Sequence, residues 1–177
     1  MNHEFINGIK KQFDYYKSIG EKTIEQLSDQ QLNWKPNETS NSIANIVMHL
    51  HGNMLSRWTN FLSEDGEKTW RRREEEFDNK DLTKSEILSL WQEGWSCLYD
   101  AITKSETIDL TTIIYIRAQA HTLIDAFLRQ LAHYPHHVGQ IVYIGKVLLD
   151  RDWKTLSIPR GGTDDFNRIM FSGHKQI

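Results

Sequence analysis

Leu131-Ala-His-Tyr-Pro-His-His-Val-Gly-Gln-Ile141 is the stretch on which the reading of this chain turns. It holds three histidines within five residues and lies inside an apolar pattern of helical spacing: Leu123, Phe127, Leu131, Val138, Ile141, Val142 and Leu148. The pattern predicts one long helix from Thr122-Leu-Ile-Asp125 to about Leu149. On that helix His133 and His137, four residues apart, stand one above the other on one face. Two imidazoles so placed grip one metal ion if a third ligand arrives from another helix. His136 is turned about 100° from His137 and does not join them. Pro135 removes a backbone donor and predicts a kink between the two. A His-x-x-x-His pair alone is also common on a solvated face, so the surroundings must supply the third ligand.

Three more helices are predicted upstream. Phe5, Ile9, Phe13, Tyr16, Ile24 and Leu27 recur at helical spacing over residues 3–27. Ser28-Asp-Gln-Gln31 has the form of a capping box and opens one short turn. Ser42 is the expected N-cap of a second helix running to about Glu64, with Ile43, Ile46, Val47, Leu50, Met54, Trp58 and Phe61 as its stripe. Residues 66–82 are charged and without period, and read as loop. Thr83-Lys-Ser-Glu86 caps a third helix over about 84–103. Thr111 to Arg117 is β-branched and short, an extended segment too isolated to imply a sheet in the core. Turn signals at 158–162 precede a short helix from Asp164 to Phe171 in a loop-rich tail. Four helices with one-sided apolar faces predict an all-α four-helix bundle, as a single domain over residues 1–177. Gly139, lacking a Cβ, suggests a point where a neighbouring helix comes close.

The 177 residues carry a net charge of −3, which supplies no global basic field for nucleic acid. Arg71-Arg72-Arg73 is followed at once by Glu74-Glu75-Glu76, which reads as a self-compensated, solvated segment. The one cysteine, Cys97, lies in an apolar pattern and reads as a small buried hydrophobe rather than a nucleophile. No apolar run is long enough to span a membrane, and the N-terminal residues form no secretory signal. The expectation is a cytoplasmic protein with no membrane or nucleic-acid partner.

The second helix offers two candidate ligands, His49 and His51. On a helical wheel His51 lies nearer the centre of the apolar stripe, so periodicity leaves the choice open. Ser42-Ile-Ala-Asn-Ile-Val-Met-His-Leu50 together with His133-Tyr-Pro-His-His-Val-Gly-Gln-Ile141 resembles the DinB/YfiT-like metalloprotein superfamily. That superfamily pairs a Ser-Ile-Ala-type helix ending in His-Leu with a late His-x-x-x-His-x-Gly-Gln helix. Leu27-Ser-Asp-Gln-Gln-Leu-Asn-Trp-Lys-Pro36 resembles the end of its first helix, and the likeness spans residues 5–149. Pro135 departs from the pattern. Segment 111–120 and the tail from Asp150 resemble only a branch without an assigned activity.

The resemblance implies a four-helix bundle, often a homodimer, with His49, His133 and His137 holding one divalent ion. Zinc and nickel are favoured, since imidazole suits both. Three protein ligands leave a position open for water or substrate, as in catalytic rather than structural zinc. Relatives implied by the resemblance are transferases or isomerases using a low-molecular-weight thiol, and hydrolases. The expected function is therefore a metal-dependent thiol transferase or hydrolase acting on a small molecule. The alternative is a non-catalytic, metal-stabilised dimeric bundle with a stress-related or binding role, and a metal-free helical interaction protein is the third possibility. No carboxylate adjacent to the motifs offers itself as a base. Asn53, one turn beyond His49, is a candidate donor into the cleft, and His121 a candidate auxiliary base. Tyr134 and Gln140 are candidates for orienting the imidazoles. No catalytic residue is assigned.

Overall fold

The computed structural model describes residues 2–78 and 80–173. Six α-helices and one two-stranded hairpin account for its regular structure: α1 (Asn2–Gln26), α2 (Asp29–Leu32), α3 (Ile43–Trp58), α4 (Lys84–Ser105), β1 (Ile113–Ile116), β2 (Gln119–Thr122), α5 (Leu123–Leu149) and α6 (Thr163–Ser172). Short 3-10 turns lie at Glu74–Phe77 and Asp150–Asp152. The chain is thus mostly helical. Helix α1 packs against α4 and α5, and α3 packs against the same two. Their apolar stripes meet in one cluster that includes Phe13, Ile24, Leu50, Trp91, Trp95, Phe127 and Tyr134, all nearly inaccessible to solvent.

The caps form as their residue types require. Ser28, Ser42, Thr83 and Thr122 each accept from a backbone N–H three residues on, which satisfies a donor the helix leaves open. At Ser42 the pairing is reciprocal, because the Asn45 Oδ1 accepts from the Ser42 N–H at 3.2 Å.

Two elements differ from the sequence expectation. Helix α3 stops at Trp58 rather than near Glu64. The C-cap Thr59 turns extended, with ψ 123°, which ends the helical run, and Asn60 follows with a left-handed φ of 50°, which asparagine tolerates. The extended segment is half of a hairpin, with Ile113 opposite Thr122 and Ile116 opposite Gln119. Its two-residue turn, Arg117-Ala118, takes positive φ at both positions, the geometry that matches strand twist but disfavours these residue types. The Asp65 carboxylate holds the turn by accepting from both backbone N–H groups, at 2.8 and 2.7 Å. Helix α5 runs unbroken through Pro135.

Gly139 has no atom within 4 Å of the position a Cβ would take, so no helix approaches there. The close approach falls at Gly145, where a Cβ would lie 2.7 Å from Thr23 Cγ2 on α1. Helix α6 buries none of its residues and exposes Phe166, Ile169, Met170 and Phe171. Among the described residues, no helix is long and apolar enough to cross a membrane.

Candidate metal centre

Helices α3 and α5 bring His49, His133 and His137 together, although His49 and His133 are 84 residues apart in sequence. The Nε2 atoms of His49 and His133 are 3.4 Å apart, and those of His133 and His137 are 3.1 Å apart. His51 lies elsewhere, with its Nε2 at 3.0 Å from the Glu93 carboxylate on α4. His49, 7% exposed, is the inward residue of the pair.

Each imidazole is held from behind through its Nδ1. His49 meets Glu76 Oε2 at 2.9 Å, His133 meets Gln130 Oε1 at 3.3 Å, and His137 meets Gln140 Oε1 at 2.8 Å. All three partners are oxygens, which suits the tautomer with the proton on Nδ1. In that tautomer each Nε2 turns a lone pair toward the other two, as metal ligation requires. A metal–nitrogen distance of about 2.0–2.1 Å sets nitrogens about 3.3 Å apart in a tetrahedral site. The observed 3.1 and 3.4 Å edges fit that spacing. The donor set therefore fits a divalent ion.

Burial keeps two of these rings neutral. His133 is pushed down to about 3, first by burial and then by the neighbouring imidazoles of His137 and His49. Burial also lowers His137, partly opposed by its bond to Gln140. Neutral imidazole is the form that ligates metal.

Glu76 corrects the reading of the 71–76 charge run. That run is not a solvated segment throughout, because the Arg71 and Glu76 side chains are only 2% and 9% exposed. Arg71 donates from Nε to Glu76 Oε1 at 2.7 Å and from Nη2 to Oε2 at 2.9 Å, a bidentate pair. Burial pushes the Glu76 carboxyl up, but the bonds from His49 and Arg71, with the Arg71 charge, outweigh it and hold the group low. The loop is pinned above α3 by Asn45, whose Nδ2 donates to the Glu76 and Asp78 carbonyls at 3.3 and 2.9 Å. Phe77 lies against the His49 ring, centroids 5.3 Å apart. The alternation of three basic and three acidic residues hid this carboxylate. The signal that could have found it was Asn45, a helix-cap residue with two amide donors to spare.

The remaining candidates divide. Gln140 orients His137, and Gln130, which the sequence did not single out, orients His133. Tyr134 does not touch a ring nitrogen. It is fully buried, accepts from Trp58 Nε1 at 3.1 Å and donates to Asn53 Oδ1 at 3.2 Å. Asn53 thus lines the site but spends its oxygen on Tyr134. His136 meets Gln140 Nε2 at 3.3 Å, outside the triad. His121, on β2, pairs with Asp125 in the first turn of α5 and is not brought to the centre. Burial pushes the Cys97 thiol up, the Thr59 hydrogen bond only partly opposing, which leaves it a poor nucleophile.

The triad opens onto a cleft of about 750 Å³. Its walls carry His49, His133, His136 and His137, with arginines from several segments and, among the described residues, no aspartate or glutamate.

A family profile described as Protein of unknown function (DUF1572) matches residues 1–162. The chain belongs to the DUF1572 family. No curated protein matches the chain, and no solved structure does. Membership of DUF1572 brings no activity with it, so the chemistry must be argued from the site.

Proposed function

We propose that this member of DUF1572 is a metal-dependent enzyme acting on a small molecule, its centre one divalent ion held by His49, His133 and His137. Residues 1–177 are read as a single DinB-like four-helix-bundle domain, working as a homodimer. One observation carries the reading: three Nδ1 atoms are tied outward to oxygens while three Nε2 atoms converge at 3.1 and 3.4 Å beside an open cleft. Zinc and nickel are the favoured ions.

When bound, such an ion supplies a Lewis acid that activates water or holds a thiolate. The protein's own groups do the rest. Glu76, Gln130 and Gln140 fix the ring orientations, and Phe77 shields His49 from water. Hydrolysis needs a base for the attacking water. Glu76 is committed to His49 and Arg71, and among the described residues no carboxylate lines the cleft. Thiol transfer has no such need, because the metal itself favours the thiolate. The geometry therefore favours transfer from a low-molecular-weight thiol over hydrolysis. A second reading, an ion that only clamps the bundle, is favoured by the ligands' joining of α3 to α5.

The test is metal content by elemental mass spectrometry on untagged protein, with His49→Ala, His51→Ala and His137→Ala alongside. About one ion per chain is expected in the wild type and His51→Ala, lost in the other two. Glutathione and cysteine are then titrated into the cobalt-substituted protein. A thiolate-to-cobalt absorption band supports the enzyme reading. Bound metal that ignores thiols supports the clamp, and a wild type that takes up no metal overturns both.

A further inference from the structure

Among the described residues, the cleft beside the triad is lined by five arginines, Arg57, Arg71, Arg73, Arg117 and Arg129, and by no acidic residue. In a chain of net charge −3 this is a local reversal of sign, and a cleft lined by one sign of charge concentrates ligands of the other. Four of the five are ion-paired: Arg71 with Glu76, Arg73 with Glu74, and both Arg57 and Arg117 with Glu67. Arg57 and Arg129 nevertheless retain donors. Arg57 engages the Gly66 carbonyl and Glu67 through Nη1. Its Nε is buried without a partner among the described residues, on a side chain 5% exposed. Arg129 is exposed at the cleft and makes no ion pair among the described residues.

These two arginines stand at one end. His49, Asn53 and Arg57 follow one another at four-residue steps on α3, and His137, His133 and Arg129 do so on α5. The helices run antiparallel, since His49 meets His137 while Trp58 stacks on Phe127 at 4.7 Å. Both ridges therefore lead from imidazole to guanidinium in the same direction, over eight residues or about 12 Å of helix rise. Cleft volume and ridge length suit a metabolite-sized ligand.

We propose that the cleft takes a small oxyanion-bearing molecule, its carboxylate or phosphate at Arg57 and Arg129 and its other end at the imidazole triad. The guanidinium fork matches either oxyanion, and Arg129, exposed and without an ion pair among the described residues, offers it without breaking an existing contact. The orientation rests on reading the triad as a metal centre; the anion site does not.

Inorganic phosphate, glutarate and the uncharged glutaramide are titrated calorimetrically into the full chain, with and without zinc. Arg129→Gln, on an exposed helical position, and Arg57→Lys, which keeps the charge but removes Nε, serve as variants, their folding checked by circular dichroism. The expected result is binding of phosphate or glutarate but not glutaramide, weakened by salt. In Arg129→Gln the affinity falls about tenfold or more, as for a lost hydrogen bond to a charged group. Which of the two anions binds identifies the source. Anion binding in a chain that takes up no zinc removes the metal reading and leaves this one standing. No anion binding, whether or not zinc binds, overturns the proposal, as does wild-type affinity in both variants.

Discussion

A Cβ on Gly52 would lie 2.3 Å from Glu76 Oε1, so the bare backbone at Gly52 is what admits the carboxylate to the back of His49. Gly52→Ala therefore displaces Glu76 while leaving all three histidines in place. Groups that orient a ligand typically contribute 10–100-fold to metal affinity, and a loss of about that size is expected here. Competition against a chromophoric chelator measures it. Unchanged affinity would show that Glu76 does not orient the ring.

Tyr134 links Trp58 to Asn53 in the core. Removing its hydroxyl by Tyr134→Phe leaves the indole N–H and the Asn53 oxygen without that partner. The expected destabilisation is about 1–3 kcal/mol, measured by urea unfolding. A neutral result would mean that water replaces the hydroxyl.

Two glycines of α5 should respond in opposite ways. Gly145→Ala pushes a methyl group against Thr23 and Trp153 and should cost about 1–3 kcal/mol through overpacking. Gly139→Ala meets nothing within 4 Å and should gain about 0.5–1 kcal/mol of helix stability. Thermal melts of the two variants side by side decide it.

The metal-free chain should weaken as pH falls below about 6.5, where an unfolded histidine begins to take up protons. His133 in the native state accepts its proton only at about 3. Between those values the unfolded chain binds more protons than the native one, so stability is full above the upper value and declines toward the lower. Urea midpoints of chelator-stripped protein from pH 8 to pH 5 test this, and His133→Gln should flatten the slope.

Helix positions were legible because each long helix carries a one-sided stripe, and α3, α4 and α5 each have a capping residue at their start. The end of α3 was not, since Thr59 and Asn60 leave helical backbone geometry while Phe61 keeps the apolar rhythm going. The hairpin was half-visible: Ile113 to Ile116 is β-branched, but Gln119-Ala-His-Thr122 pairs with it only because Asp65, more than 50 residues away, holds the turn. At the site, spacing identified His133 and His137 as a pair. Choosing His49 over His51 took the family resemblance, because a helical wheel does not know which neighbour will cover which face. Glu76 and the arginines of the cleft come from separate loops and helices, and a linear reading has no means of bringing them together.

His133 and His137 remain four residues apart when the chain is unfolded, whereas His49 joins them only through the finished packing of α3 on α5. An unfolded molecule would thus keep two prongs of a site for an ion, which folding completes. Because affinity for the unfolded state subtracts from the stabilisation a ligand confers, the ion should raise the melting temperature by less than its affinity for the native site implies. A chain losing its shape would also surrender its metal in stages, first from the donor on α3.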